Sequence, residues 1–401
     1  MAELSPSSRA TKVVALVSVA IVVSLLGVAS FAFWGGARPF SFYDIGFYRR
    51  AVAAVGSGTT YTYDALSYPP FVFLILWVLL LVPTVLGDQL WTFVTLMFLV
   101  AVAVVLSMRG MAVKKVSWRQ HRWELVIWSA TSLLLLLVSS PALSQFTNGQ
   151  LSLVVMALAF VDTANVLPRR LRGVLVGLAG AIKVTPLVFV LYYLVTGQRR
   201  QAAVASATFV GLTALAWAVF PVGSLQFWTR VGGSSQFGDP ARSDNWAIRS
   251  MLTRLSPEWG HATWLWALLG LAVVVAALWR SRRHYQRGEV MESALTVGAA
   301  ATVVAPIAWP HYFLWLPVTA VWLITTQRPA VQRLGWAIFV VYSPLYFSLL
   351  VPLLASTAPA FVSLIDLLVV IPMLIGFLGL PRRRSPRPVT PAATDGSLAR
   401  A

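Results

Sequence analysis

Long apolar runs, separated by short basic stretches, recur along the chain from residue 13 to residue 380. Most of these runs approach the ~20 residues that an α-helix needs to cross a lipid bilayer. Hydrophobic residues make up 58% of the 401 residues and charged residues only 11%, a composition that excludes an ordinary soluble globular domain. The pattern therefore predicts an all-α polytopic membrane protein with about twelve transmembrane helices and short helices in the outer loops.

The basic clusters predict how the chain is threaded. Apolar runs of spanning length cover residues 13–34, 88–108, 124–140, 150–167, 201–220, 261–280, 289–308, 311–326, 333–352 and 359–380. The positive-inside rule assigns the basic clusters between them to the cytoplasm. Both termini are then cytoplasmic, and segments 35–69 and 221–260 lie outside. We expect one integral membrane domain over residues 1–380, followed by a disordered basic tail at 381–401.

Two stretches do not read as simple spans. Residues 172–196 begin and end beside basic residues and break at Lys183-Val184-Thr185-Pro186, so they form either a tight pair of short helices or a re-entrant hairpin. Residues 70–83 precede a proline and are interpreted as a partial or interfacial helix. The path of residues 70–108 then keeps the basic stretch 109–122 on the cytoplasmic side.

Composition also excludes several kinds of chemistry. The chain contains no cysteine and four histidines, so disulfides and thiol catalysis are impossible and ligands for zinc are few. The net charge of +18 lies mostly between apolar runs, where it indicates membrane topology instead of a nucleic-acid surface. We expect no metal, no cofactor and no nucleic-acid partner.

Asp44 is the most informative carboxylate. It follows the first apolar run in the stretch SFYDIGFYRR, and a helix there would place it on one face with Phe47 and Tyr48. An acid beside aromatic rings is typical of sugar sites, whereas the alternatives are helix capping or an ion pair with Arg49 or Arg50. The other acids of the predicted outer loops are Asp64, Asp239, Asp244 and Glu258.

Two further side chains stand out in apolar surroundings. Lys183 lies about midway along its apolar run, where a charge is costly and usually has a partner, although a long lysine can also snorkel to the surface. His311 stands at an outer helix boundary in the stretch WPHYF. It is either a site residue or an incidental member of an interfacial aromatic belt.

Polar residues in two outer stretches remain open to both interpretations. Asn148 and Gln150 lie in the turn SQFTNGQLS at the mouth of a helix, where capping and turn formation are the alternative to substrate contact. Arg242, Asn245 and Arg249 lie in an outer loop and contact either a substrate or lipid head groups.

Taken in order, five features resemble a known family. They are the acid after the first span, YPPF at 68–71, the NGQ-L turn at 148–151, AIKVTPL at 181–187 and APIAWPHYFLWLP at 305–317. Together they resemble the polyprenol-phosphate-mannose-dependent α-1,2-mannosyltransferases of the glycosyltransferase C superfamily. Within that family the chain most resembles the actinobacterial phosphatidylinositol mannoside mannosyltransferases.

The resemblance implies a fold, a reaction and a set of site residues. It implies a glycosyltransferase C-type fold and inverting transfer of mannose from a polyprenyl-phosphate-mannose donor to a mannolipid acceptor at the outer face of a cell membrane. It carries the acid role onto Asp44 and a substrate-contacting role onto His311. From the residues themselves we predict that Asp44 is the general base and that an acceptor sugar stacks beside Tyr43, Phe47 and Tyr48. The substrate-binding candidates are Tyr48, Tyr68, Asn148, Gln150, Lys183, Arg242, Asn245 and Arg249.

Two other functions remain open at this point. A flippase or transporter for a lipid-linked sugar would place charged residues along the membrane interior, where only Lys183 and Asp366 qualify among the predicted spans. A sister glycosyltransferase that acts on lipomannan or arabinan would share the same motifs.

Overall fold

The computed structural model describes residues 42–55, 68–230, 242, 245–326 and 329–343. Within these ranges the chain is helical and no β-strand occurs. The α-helices in chain order are α1 Tyr43–Val55, α2 Phe71–Leu76, α3 Thr84–Val113, α4 Arg122–Leu137, α5 Ser140–Asn148, α6 Ser152–Thr163, α7 Val174–Ile182, α8 Val188–Val195, α9 Arg199–Val219, α10 Pro221–Arg230, α11 Ile248–Leu255, α12 Pro257–His261, α13 Thr263–Gln286, α14 Val290–Val304, α15 Trp315–Thr326 and α16 Pro329–Val341. Short 3₁₀ helices cover Trp77–Leu80, Thr185–Leu187 and Pro310–Leu314.

Three of these helices are long and apolar enough to cross a membrane, namely α3, α9 and α13. They correspond to the spans predicted at 88–108, 201–220 and 261–280. Helices α4 and α5 together pass the same test but are bent by 73° relative to each other, so the described residues hold at most four spans. An all-helical membrane protein is therefore confirmed, whereas the total of about twelve helices stays a prediction. The spans predicted at 13–34 and 359–380 lie outside the described residues, as does the tail at 381–401.

Several other predicted spans are shorter helices than expected. The run at 150–167 forms α6, of 12 residues, and the run at 289–308 forms α14, of 15 residues. Pro306 explains the early end of α14, because Ala305 before it takes an extended conformation with ψ 144°. The run predicted at 311–326 begins as a 3₁₀ turn at Pro310 and becomes α-helical only at Trp315.

The stretch at 70–83 is a short helix, as predicted. Helix α2 runs on into the 3₁₀ turn Trp77–Leu80, and Pro83 in an extended conformation separates both from α3. The guanidinium of Arg49 on α1 closes this break, since Nη1 donates to the carbonyl oxygens of Leu79 and Val82. Arg49 is therefore occupied by backbone carbonyls.

Residues 173–198 form a hairpin of two short helices, which we name the α7–α8 hairpin. Its arms hold 9 and 8 residues, or about 13 Å each, against the ~30 Å of a bilayer core. Lys183 between them is extended, with φ −149° and ψ 133°. The first arm packs along the start of α9, where a side chain at Gly177 would come 2.5 Å from the Ala205 carbonyl oxygen. The second arm returns to the same end, since Gly173 N before the first arm and the Tyr193 hydroxyl near the end of the second both donate to the carboxylate of Asp162. Two short helices are what both predicted alternatives require, and re-entry into the membrane stays a prediction.

The carboxylate of Asp162 on α6 ties both arms of the hairpin together. It accepts hydrogen bonds from the backbone nitrogens of Gly173 at 2.7 Å and Val176 at 2.9 Å, and from the Tyr193 hydroxyl at 2.9 Å. The side chain is fully buried. A buried acid with this many donors is a structural anchor, because an unpaired one would cost several kcal/mol.

The basic clusters that follow α3, α6 and α13 and precede α9 collect at one end of the helical bundle, which we call the basic end. There Arg200 donates to the carbonyl of Arg169, Arg172 donates to the carbonyls of Asn165 and Leu167, and Lys114 lies 4.3 Å from the centroid of the Trp128 ring. The chain passes through this end after α3, after α6, before α9 and after α13. The candidate site lies at the opposite end of the same helices.

Candidate active site

Helix α1 is attached to the turn that joins α5 to α6. The backbone nitrogen of Phe42 donates to Thr147 O at 3.0 Å, and the indole nitrogen of Trp91 on α3 donates to Gly149 O at 2.9 Å. Gly149 has φ +69°, and a Cβ there would come 2.4 Å from Cγ1 of Ile45 on α1. Glycine is therefore required at position 149 both for its conformation and for the close approach of α1. This contact brings Asp44 beside Gln150.

Asp44 lies in the first turn of α1 and is half-buried. Burial raises the pKa of its carboxyl from 3.8 to about 6, and the nearby Gln150 side chain opposes part of this rise. Among the described residues Asp44 forms no ion pair with Arg49 or Arg50. The salt-bridge alternative is therefore absent from this structure.

Gln150 and two tyrosines form a hydrogen-bonded cluster behind Asp44. The Gln150 oxygen Oε1 accepts from the Tyr48 hydroxyl at 2.7 Å and from the Tyr68 hydroxyl at 3.1 Å, and the two hydroxyls lie 3.3 Å apart. Tyr48 is only 2% exposed, so its ring cannot stack against a sugar as the sequence led us to expect. Tyr43, by contrast, is 69% exposed next to Asp44.

Lys183 occupies the tip of the α7–α8 hairpin, next to the ring of Tyr68. Its Nζ lies 3.2 Å from the centroid of the Tyr312 ring and 5.4 Å from that of Tyr68. No carboxylate among the described residues pairs with it. A cavity of about 60 Å³ adjoins Lys183, with Thr302, Tyr312 and Trp315 in its wall. The site therefore contains a cation on aromatic faces beside a small open volume.

His311 completes the group from the 3₁₀ turn before α15. It is buried, its ring centroid lies 4.8 Å from that of Tyr312, and its Nδ1 lies 3.5 Å from the Ser144 hydroxyl. Asn148 braces the same serine, because its Nδ2 donates to Ser144 O at 3.0 Å. The Nε2 atom of His311 is buried and has no protein partner among the described residues. It is free to meet a polar group of a ligand.

Asn245 makes structural contacts next to this group. Its Oδ1 accepts from the backbone nitrogen of Ala308 at 2.9 Å, and Trp246 N donates to Ala308 O at 2.9 Å. These bonds fix the extended segment that leads into His311. A substrate contact of Asn245 stays a prediction.

The two loop arginines differ in position. Arg242 is exposed, and its guanidinium lies 4.8 Å from the Trp309 ring centroid, two residues before His311. Arg249 is buried, and its Nε lies 3.3 Å from the Gly260 carbonyl oxygen. The structure therefore brings Arg242 to the mouth of the site and Arg249 against α12. Their predicted substrate contacts remain predictions.

The arrangement gathers one carboxylate, one lysine and one imidazole around tyrosine side chains. The described residues contain no group of three or more histidine, aspartate or glutamate side chains that could hold a metal ion. Sequence reasoning did not select Ser144 or Tyr312. Tyr312 had a detectable signal, since it follows His311 directly. The only sequence signal for Ser144 was its position four residues before Asn148 on the same helix.

A comparison with protein families decides what kind of chain this is. The model of the family described as glycosyltransferase family 87 matches residues 66–310, which is more than half of the chain. The chain belongs to glycosyltransferase family 87. The family match includes the candidates from Tyr68 to Arg249, whereas Asp44 lies before it and His311 directly after it. Their roles therefore depend on the geometry described above.

Curated relatives in glycosyltransferase family 87 carry closely similar names. A polyprenol-phosphate-mannose-dependent alpha-(1-2)-phosphatidylinositol mannoside mannosyltransferase of Mycobacterium tuberculosis is 33% identical over 180 residues, or 44% of this chain and 42% of the relative. The protein of the same name from Mycolicibacterium smegmatis is 31% identical over 53% of this chain and 50% of the relative. A pentamannoside mannosyltransferase of Mycobacterium tuberculosis, also named as polyprenol-phosphate-mannose-dependent, is 28% identical over 83% of this chain and 77% of the relative.

These relatives confirm the family predicted from the sequence. The chain spans 42% and 50% of the length of the first two relatives, so activity and substrates are taken up below as proposals. No solved structure matches this fold.

Proposed function

We propose that this protein transfers mannose from polyprenyl-phosphate-mannose to a mannosylated phosphatidylinositol and forms an α-1,2 linkage with inversion at C1. The observation that carries the proposal is the placement of a carboxylate and a cation around one buried tyrosine, Tyr68. The Tyr68 hydroxyl binds Gln150 close to Asp44, and Nζ of Lys183 lies 5.4 Å from the Tyr68 ring centroid. Inverting glycosyl transfer needs these two charges in separate places.

The reaction is a single displacement in this proposal. Asp44 takes the proton from the acceptor hydroxyl, whose oxygen attacks C1 of the mannose while the bond from C1 to the phosphate oxygen breaks. The bonding electrons leave with the phosphate, so a β-linked donor gives an α-linked product. A phosphate is a good leaving group without protonation, which explains why one carboxylate is sufficient where glycosidases use two.

The leaving phosphate requires positive charge and hydrogen-bond donors on the other side of the sugar. Lys183 offers three N–H donors beside a cavity of about 60 Å³, which has room for about two water molecules. His311 precedes Tyr312 in the chain and its ring contacts the Tyr312 ring. Its Nε2, which has no protein partner among the described residues, supplies a further polar contact. We assign donor-phosphate binding to Lys183 and His311, and acceptor stacking to the exposed ring of Tyr43.

A transfer assay tests this proposal. Purified protein is incubated with labelled polyprenyl-phosphate-mannose and with phosphatidylinositol mannosides, lipomannan or arabinan as acceptors. We expect label on the phosphatidylinositol mannoside, removable by an α-1,2-specific mannosidase. Label only on lipomannan or arabinan would instead identify a sister enzyme. Movement of the labelled lipid across a vesicle membrane without any product would identify a transporter.

The site is proposed to face the outer side of the membrane, because the basic end is assigned to the cytoplasm. The chain lacks cysteine, so single cysteines can be introduced at Gly58 and at Lys115. A membrane-impermeant maleimide applied to intact cells is expected to label Gly58→Cys, and to label Lys115→Cys only after permeabilisation. The reverse pattern would contradict the proposed orientation.

Transfer is expected to continue in the presence of a chelator, because the described residues offer no metal-binding cluster. The measurement is turnover of purified protein before and after dialysis against EDTA. We expect a change of less than about twofold, since lysine and histidine supply the donors that a metal would otherwise supply. A loss of turnover that manganese or magnesium restores would disprove metal-independent transfer.

A further inference from the structure

The cavity of about 60 Å³ beside the hairpin tip follows one face of helix α6. The α6 residues in its wall are Ser152, Val155, Met156 and Ala159. Their spacing of three and four positions puts them on the same side of the helix. The cavity therefore begins at the first turn of α6 and continues along it for about two turns, or ~10 Å.

Ser152 contributes a buried hydroxyl to this wall. The side chain is 7% exposed, and its Oγ forms no hydrogen bond among the described residues. A serine near a helix start usually caps the helix or bonds back to a carbonyl of the preceding turn, and Ser152 makes neither contact. Most buried polar groups in proteins do have a partner. A polar ligand atom in the cavity would supply the partner that Ser152 lacks.

The first turn of α6 places further donors beside this hydroxyl. A helix start leaves its first backbone N–H groups without partners inside the helix. The nitrogen of Leu153 donates to Gln145 Oε1 at 3.1 Å, whereas those of Ser152 and Val154 form no hydrogen bond within the described ranges. Helix α6 has 12 residues, so the positive end of its dipole also lies at Ser152. Such a helix end favours an anion.

Lys183 brings a full positive charge to the same end of the cavity, whose wall it shares with Ser152. Its Nζ lies 5.4 Å from the Tyr68 ring centroid, and the Tyr68 hydroxyl binds Gln150, two residues before Ser152. No carboxylate pairs with Lys183 in the part of the chain that the structure describes. One ammonium, one hydroxyl and two backbone nitrogens therefore lie at one end of a small cavity.

We propose that Ser152 and the first turn of α6 form, together with Lys183, the subsite for the phosphate of polyprenyl-phosphate-mannose. The Ser152 hydroxyl donates a hydrogen bond to a phosphate oxygen, and this bond strengthens as the leaving phosphate gains charge. The inference rests on the proposed function, in which Lys183 binds that phosphate. Ser152 is a new member of the site, because its neighbours Asn148 and Gln150 were the candidates predicted from the sequence.

The rest of the wall fits a lipid-linked phosphate better than a sugar nucleotide. Beyond Ser152 the α6 face of the cavity is apolar, and Phe189 and Trp315 continue the apolar wall. The ribose and base of a nucleotide would bring hydrogen-bonding groups that this wall leaves unpaired, at a cost for each buried group. The methylene groups next to a polyprenyl phosphate lose no such bonds. The cavity therefore favours a polyprenyl phosphate.

Binding of a labelled polyprenyl monophosphate, which is the leaving group of the reaction, tests the subsite without turnover. We expect Ser152→Ala to raise its Kd by about 10- to 100-fold, because one hydrogen bond to a charged group is lost. Ser152→Cys should behave in the same way, since a thiol fills the space but donates poorly. The measurement is equilibrium binding to purified full-length protein in detergent. The same polyprenol without phosphate should bind equally to wild type and both variants.

Thermal unfolding separates this role from a structural one. Removal of a buried hydroxyl without a partner takes no hydrogen bond from the folded state, so ligand-free Ser152→Ala should unfold at the wild-type temperature or above it. Ser224→Ala is the matched control, because Ser224 on α10 is fully buried and its Oγ also lacks a partner among the described residues. Ser224 lies outside the cavity wall, so lipid binding and transfer should stay unchanged. A destabilised Ser152→Ala with unchanged lipid binding would assign the hydroxyl to folding instead.

Comparison with Lys183→Met separates this inference from the proposed function. Weak binding by Lys183→Met together with wild-type binding by Ser152→Ala would overturn the role of Ser152 alone. Wild-type binding by both variants would remove the phosphate from this cavity, and the assignment of Lys183 with it. Displacement of the lipid by equal concentrations of inorganic phosphate or phosphatidylglycerol would overturn the assignment to the donor. Binding as predicted without any mannosylated product would contradict the proposed function and leave the subsite in place.

Discussion

Replacement of Asp44 by asparagine is expected to lower mannosyl transfer by about 10²–10⁴, the usual cost of removing a catalytic base. Asparagine keeps the shape of the side chain, but it cannot take up a proton. Expression, thermal stability in detergent and donor binding should stay near wild type. The measurement is kcat on a phosphatidylinositol mannoside, with folding checked by size-exclusion chromatography.

Glu258→Gln provides a matched control for this experiment. It neutralises an exposed acid in the first turn of α12, away from the tyrosine cluster, and should leave transfer within about twofold of wild type. Well-folded Asp44→Asn that keeps more than about a tenth of wild-type turnover would refute the assignment. The next candidates would then be Asp64, Asp239 and Asp244, with Glu258 judged from its own variant.

Replacement of Lys183 by methionine is expected to lower kcat/KM for the donor by about 10²–10³, because one preorganised charged donor to the leaving phosphate is lost. Methionine keeps the length and packing of the lysine stem beside Tyr68 and Tyr312. Acceptor KM should change little, since in the proposed reaction the acceptor hydroxyl meets Asp44 and the donor phosphate meets Lys183. The measurement is steady-state kinetics with each substrate varied in turn.

Lys114→Met is the control for this loss. Lys114 also lies over an aromatic ring, 4.3 Å from the Trp128 centroid, but at the basic end of the bundle. Removal of its charge should leave donor kinetics unchanged. Comparison of the two variants then separates the loss of phosphate binding from the loss of a cation–π contact in general. Unchanged donor kinetics in folded Lys183→Met would mean that Lys183 only extends its amine towards water.

Local chemistry made part of this architecture predictable. The proline at 186 and the charge at Lys183 indicated a break in an apolar run, and the structure has its break there. The short helix before Pro83 was predictable for the same reason. Helix lengths were less predictable. Helix α6 is almost entirely buried inside the described bundle. Its end is decided by packing around Asp162, which hydropathy does not report.

The cluster around Asp44 was predictable only as separate residues. Tyr48 and Gln150 are 102 positions apart and share a hydrogen bond, and no local pattern specifies such a pairing. Arg49 could pair with Asp44 on sequence grounds, but the broken chain at 77–84 exposes carbonyl groups that bind it instead. Asn245 likewise has a loop sequence typical of substrate contact, whereas its oxygen binds Ala308 N.

The α7–α8 hairpin constrains how the newly made chain can enter a membrane. Neither arm is long enough to partition into the bilayer as an independent segment during synthesis, and the tip carries a lysine. One of its supports, Asp162, is translated before it, but the other, α9, is translated after it. The hairpin can therefore take its final place only after α9 has left the ribosome and inserted. The donor-phosphate role proposed for Lys183 thus depends on a late assembly step, and a chain stalled at residue 198 would lack the hairpin tip in its final position.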